Sequence, residues 1–155
     1  MKEIDITTDP FEEYNRLRDP NKYERAYAWR VGIGLQAVDG LEPSNYLLEL
    51  AKRNIEGEIT QNEIKELLGD YYSRRDLRKT EERRAREADL VSLKISQIIF
   101  TGLFRLSPKT LLSIHKYLFS DIYSHAGQIR KYNISKTEWV LDGASVDYAD
   151  WQLIE

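Results

Sequence analysis

The chain has 155 residues, with 23 basic and 26 acidic side chains, a formal net charge of -3 and no cysteine. Disulfides, thiolate metal sites and a cysteine nucleophile are thereby excluded. The near balance of charge argues against a global attraction to nucleic acid or to an anionic membrane.

Apolar residues make up 41% of the chain, enough for the core of one ordinary domain or of a small module plus part of a second. The stretch from Met1 to Pro10 lacks the basic flank and apolar run of a secretory signal. No segment approaches the ~20 apolar residues of a membrane span. The expectation is a cytoplasmic protein with no membrane partner.

Helical spacing dominates the first two-thirds. Tyr23, Tyr27, Val31, Gly34, Leu35 and Val38 recur at helical intervals, predicting a helix over 21–38 that stops at Asp39-Gly40. Pro43-Ser44 opens a second helix through Asn54, with Tyr46, Leu47, Leu50 and Ala51 as its apolar positions and Gly57 suited to the left-handed residue beyond its end. Thr60-Gln61-Asn62-Glu63 has the spacing of a capping box, ahead of Ile64, Leu67, Leu68, Tyr71 and Tyr72. The three helices form one small module, 1–72.

Residues 73–87 are a charge run with basic side chains in excess, among them Arg74, Arg75, Arg78, Lys79, Arg83, Arg84 and Arg86. Acidic residues interrupt it throughout, and pairs such as Glu82 with Arg86 fall at i,i+4, so a solvated connecting helix over 73–86 is preferred to a nucleic-acid surface. It leads into Ala88, Val91, Ile95, Ile98 and Ile99, a long helix expected to reach Phe104. Ser107-Pro108 restarts the chain as a helix with Leu111, Leu112, His115, Leu118 and Phe119 on its apolar side. Past Gly127, strand-type residues (Ile134, Trp139, Val140, Leu141, Val146) broken by Asp142-Gly143 predict a β-hairpin over 132–148, and Asp150 begins a further helical turn.

Chemistry is sparse. His115 and His125 are the two histidines, ten positions apart rather than the four of a helical zinc pair. His115, on an apolar helix side, reads as a packed, hydrogen-bonded residue, and His125 as packing or capping. Gly32 and Gly34, costly inside a helix, point to close packing rather than phosphate binding. An exposed hairpin edge can accept an extended peptide as an added strand; covering a core is the equal alternative.

Specific strings carry a resemblance. Glu87-Ala88-Asp89-Leu90-Val91-Ser92 is followed by Ile114-His115-Lys116-Tyr117-Leu118-Phe119 and Asp121-Ile122-Tyr123. Then come Ala126-Gly127-Gln128-Ile129-Arg130 and Asn133-Ile134-Ser135-Lys136-Thr137-Glu138-Trp139-Val140-Leu141. Together they resemble, over 87–148, the opening of the Fic domain of the Fic/Doc (Fido) family, with 87–155 expected as the N-terminal part of that domain. Asp39-Gly40-Leu41-Glu42-Pro43-Ser44, with Leu50-Ala51 and Ile55-Glu56-Gly57-Glu58-Ile59, is similar to the VbhA-type antitoxin module found free or in front of Fic domains.

The implied fold is mainly α: a three-helix antitoxin-like module, then the first helices and β-hairpin flap of a Fic domain. The family transfers AMP from ATP to a protein hydroxyl, with ATP and magnesium as the complete domain's cofactors. Its motif, HxFx(D/E)GN(G/K)RxxR, is absent from this sequence. The expectation is therefore an N-terminal portion, inactive alone, with no catalytic residue, metal site or cofactor of its own, and neither histidine takes the base's role. The alternative is a non-catalytic regulatory or protein-binding module of a toxin–antitoxin-like system.

The resemblance makes Ser135, Lys136, Thr137, Glu138 and Trp139 the flap residues that meet a target protein. The family's inhibitory pattern, (S/T)xxxE(G/N), aligns with Leu35 and Asp39-Gly40, so Asp39 and Gly40 mark an inhibitory position in which Asp stands for Glu and Leu35 lacks the hydroxyl. A Fic-domain partner or a homodimer is the other implied association.

Overall fold

The computed structural model describes residues 20–101, 107–137 and 142–153. Among them are five α-helices and one antiparallel pair of short strands: α1 (Pro20–Val38), α2 (Asn45–Ile55), α3 (Gln61–Ser73), α4 (Thr80–Thr101), α5 (Pro108–Phe119), β1 (Ser135–Thr137) and β2 (Ser145–Asp147), with a 3-10 turn at Trp151–Leu153. The chain divides into two compact units, the second beginning at Ser107. No helix among the described residues is long and apolar enough to cross a membrane.

The first unit holds α1 to α4. Local signals set the ends of α2 and α3. Ser44 caps α2, its side chain accepting from Leu47 N at 3.1 Å. Thr60 and Glu63 close a reciprocal capping box on α3: Glu63 N donates to Thr60 Oγ1 at 3.2 Å, and Thr60 N to Glu63 Oε2 at 2.7 Å. Trp29, Leu47, Ile55, Ile64, Leu68 and Leu93 are the large apolar side chains with no significant exposure. The indole Nε1 of Trp29 donates to Asn54 Oδ1 at 2.9 Å, and Asn54 Nδ2 donates to Ile59 O at 2.9 Å. One amide thus meets the polar needs of the indole and of the turn after α2.

α1 and α4 meet along small residues. A Cβ built on Gly32 would lie 2.6 Å from Ser92 O, closer than a real Cβ contact allows. Gly32 therefore lets the two backbones touch, flanked by buried Ala28, Ala88, Ser92 and Ser96. Gly34 meets nothing. The stripe that marks α1 in the sequence lies elsewhere: Tyr23, Tyr27, Leu35 and Val38 are each about half exposed or more, while Ala26, Trp29, Gly32 and Gln36 face inward.

Two boundaries differ from the sequence reading. The charged stretch is not one helix from 73: α3 ends at Ser73 and α4 begins at Thr80. Between them the Asp76 side chain takes the N–H of Arg78 at 3.2 Å and its Nε at 2.8 Å, a local turn that competes with helix. The division expected between 86 and 87 falls inside α4, whose Ala88, Asp89, Ser92 and Leu93 are buried in the first unit. Whether that helix extends to Phe104 lies outside the described residues.

The second unit holds α5 and the hairpin. Ser107 caps α5, accepting from Thr110 N at 3.0 Å, with Pro108 in the first turn. None of the side chains of α5 is fully buried: Leu111 is 60% exposed and Leu112 36%. His115 holds the segment that follows, its Nδ1 accepting from Gly127 N at 2.8 Å.

Candidate functional site

The hairpin is short and open. Ser135 faces Asp147, Lys136 faces Val146 and Thr137 faces Ser145 in an antiparallel register. Asp142 and Gly143 both take positive φ, 52° and 84°, the left-handed backbone that Asp-Gly tolerates in a tight turn. Glu138 and Trp139, expected among the target-contacting residues, lie outside the described residues, as do Val140 and Leu141.

The hydrogen-bond phase shows what the edge offers. Tyr148 N donates to Ile134 O at 3.4 Å, so Ile134 with Tyr148 and Lys136 with Val146 are the pairs that bond across the ladder. By alternation, Ser135 and Thr137 turn their N–H and C=O groups to the outer side of β1. All three residues of β1 are exposed. The side chains of Ser135 and Thr137 share one face with Asp147 and Ser145, and Lys136 points to the other face with Val146.

Two side chains pin the base of the hairpin. Arg130 Nη1 donates to Tyr132 O at 2.8 Å and Nη2 to Ala149 O, bridging the two ends of the loop. Asn133 Oδ1 accepts from Trp151 N at 2.8 Å. In the sequence, Arg130 and Asn133 stand within the family strings with no role implied for either. Arg130 reaches the carbonyl of Ala149 19 residues away and Asn133 the amide of Trp151 18 residues away, separations for which no spacing rule exists.

Of the remaining sequence-derived positions, Ser135, Lys136 and Thr137 come together in β1. Asp39 and Gly40 sit in the first unit, in the turn that ends α1. Asp39 is exposed and its N–H donates to Gln36 O at 3.1 Å. Gly40 O accepts from Arg84 Nη2 at 2.6 Å. His125 is exposed beside Tyr123, their rings 5.3 Å apart. No three His, Asp or Glu side chains among the described residues converge as a metal site requires.

No protein-family model matches the chain, and neither a curated protein nor a solved structure does.

Proposed function

We propose that the chain is the N-terminal portion of a Fic-type protein adenylyltransferase, with an antitoxin-like helical module ahead of the first helices and target-binding flap of the Fic domain. The observation that carries this reading is the open outer edge of β1. Ser135 and Thr137 offer backbone donors and acceptors to an extended segment of a target protein, in the manner of an added strand. Arg130 and Asn133 fix the base, so the edge is formed before a target arrives. The exposed apolar residues of α5 also fit a helix whose cover comes from further polypeptide of such a domain.

On this reading the present residues position the target, and a longer polypeptide supplies the base, the ATP and the magnesium. The test is AMP transfer from labelled ATP to protein, measured for this chain and for the longer product. The chain alone labels nothing. The longer product labels a protein, and Thr137→Pro slows that labelling about fivefold, the equivalent of roughly 1 kcal/mol for one lost edge hydrogen bond. No labelling by the longer product would overturn the enzymatic reading. Asp39 tests inhibition in the same assay: removing its carboxylate with Asp39→Ala raises transfer, and unchanged transfer removes it from that role.

A second reading is favoured by a different observation. Tyr23, Tyr27, Leu35 and Val38 form an exposed apolar stripe on α1, opposite the residues that bury Trp29. As a non-catalytic regulatory module, the chain would lay this stripe against a separate Fic domain. Co-purification with such a domain, lost in a Tyr27→Asp and Leu35→Asp double variant, is the expected result. Sedimentation of the chain as a stable dimer that the same variant dissociates would point to self-association instead.

A further inference from the structure

We infer that the first unit carries a separate binding site for a peptide carboxylate flanked by an apolar side chain, in the cleft between Arg25 and Phe100. The cleft measures about 390 Å³, and its walls come from all four helices: Arg25 on α1, Asn54 on α2, Gln61 and Asn62 on α3, and Gln97 and Phe100 on α4.

Charge is the first argument. Arg25 Nε donates to Ile55 O at 2.9 Å, capping the end of α2 and fixing the plane of the guanidinium. That contact accounts for one of its five N–H groups and leaves the forked Nη1–Nη2 end open. Among the described residues, no Asp or Glu lines the cleft. Three carboxylates on the adjoining turns are committed elsewhere: Glu56 to Lys22 at 2.5 Å, Glu58 to Arg53 at 3.3 Å, and Glu63 to the capping box of Thr60. Among the described residues, Arg25 is thus a half-buried cation with no acidic partner, held in place by a backbone carbonyl. A planar fork of this kind matches one carboxylate in two parallel hydrogen bonds.

Shape and chemistry of the walls are the second argument. Phe100 is half exposed, giving one apolar side, and the amides of Gln61 and Asn62 give a neutral polar side. Gln61 Nε2 is tied to Ser96 Oγ at 3.1 Å, so that wall is rigid on α4. Asn54, at the floor, is held by Trp29 and Ile59 O. One fixed cation, neutral amides and one aromatic wall suit a singly charged carboxylate next to an apolar group. They do not balance the second charge of a phosphate.

The site belongs to the first unit and does not rest on the reading built on the hairpin. Its test is a ¹H–¹⁵N NMR titration of the whole chain with three probes: N-acetylphenylalanine, which carries a terminal carboxylate; N-acetyl-aspartyl-phenylalanine amide, which carries a side-chain carboxylate; and the neutral N-acetylphenylalanine amide. Either acidic probe shifts Gly57, the Asn62 side chain and the Trp29 indole N–H, saturating with a Kd of about 1 mM, as expected of one fork and one ring. The stronger of the two identifies the source of the carboxylate. The neutral amide binds at least roughly tenfold more weakly, the factor for about 1.4 kcal/mol. Arg25→Gln abolishes the difference between acidic and neutral probes, and Phe100→Ala, at a half-exposed position, weakens all three. The inference is overturned if the neutral amide shifts the same signals equally, if no probe saturates by about tenfold above that Kd, or if a folded Phe100→Ala binds unchanged.

Discussion

Ser44 and Asp89, 45 residues apart, are joined twice: the Ser44 N–H donates to Asp89 Oδ1 at 2.7 Å and its hydroxyl to Oδ2 at 2.5 Å. Tyr72 OH adds a third bond to Oδ2 at 2.6 Å. Asp89 has no exposed surface. One buried carboxylate on α4 therefore holds the cap of α2 and the last turns of α3. The same Ser44 oxygen accepts Leu47 N, so the cap and the tertiary bond share an atom.

Removing that carboxylate should destabilise the first unit strongly. Asp89→Ala strands three donors, and at about 1–3 kcal/mol for each buried group left unmet the loss is at least about 3 kcal/mol. Asp89→Asn costs less, because its oxygen still accepts the Ser44 N–H and its amide can donate to the two hydroxyls. Urea unfolding of the three proteins ranks them wild type, Asn, Ala. An Ala variant within about 1 kcal/mol of wild type would show that the three bonds contribute little net stability.

The same group gives a pH dependence of definite sign. Burial is the largest influence on Asp89 and raises its pKa above 3.8, although Ser44 and Tyr72 oppose the shift by donating to the charged form. A raised pKa means that the fold holds the proton more tightly than the unfolded chain does. Its stabilising contribution is full below pH 3.8 and is lost as pH rises through the folded value. Tyr72 is shifted upward too, by burial first and then by its bond to Asp89, and stays protonated throughout this range. Glu63 and Asp76 shift downward through their hydrogen bonds and give the opposite slope, so the comparison is with Asp89→Asn. Subtracting the variant's unfolding free energy from that of wild type at each pH leaves a difference that declines as pH rises from about 4. A flat difference would mean that the carboxylate titrates alike in both states.

Local signals in the sequence were legible and tertiary ones were not. Thr60 with Glu63, and Ser107 with Pro108, involve neighbours within one turn, and their caps form as the spacing predicts. The α1 stripe shows the limit. Tyr23, Tyr27, Leu35 and Val38 mark the helix correctly but face solvent, because the inward side is built from Ala26, Ala28, Gly32 and Gln36 around Trp29. Small residues and an amide carry no apolar periodicity. Asp89 stood within a family string, but nothing in its surroundings showed that it would be buried against Ser44. In the hairpin, strand residues and the Asp-Gly turn were readable, whereas Arg130 and Asn133 became meaningful only once their distant partners were placed.

The two helical glycines of α1 separate close packing from propensity. Gly32→Ala puts a methyl 2.6 Å from Ser92 O. Because the obstacle is backbone, α1 and α4 must move apart, at a cost of about 1–3 kcal/mol. Gly34→Ala meets nothing within 4 Å and gains about 0.8–1 kcal/mol of helix propensity. Thermal melting should move down for the first and up for the second. A stabilised Gly32→Ala would show that the helix pair is not closely packed at Ser92.

The hairpin base supplies a prediction that needs no ligand. The guanidinium of Arg130 bonds the carbonyls of Tyr132 and Ala149, on either side of the hairpin. The ladder between them is three register pairs long, and an isolated hairpin of that size is marginal in water. Arg130→Ala removes both contacts at once. With about 1.5–3 kcal/mol for a hydrogen bond to a charged group, the Tyr148 amide, which donates to Ile134 O, should exchange with solvent at least about tenfold faster. Arg130→Lys, whose ammonium reaches one carbonyl, should fall between. Asn133→Ala frees Trp151 N and should speed exchange at Trp151 more than at Tyr148. Equal Tyr148 exchange in wild type and Arg130→Ala would mean that the strands hold themselves together, and the open edge at Ser135 and Thr137 would not depend on the anchor beneath it.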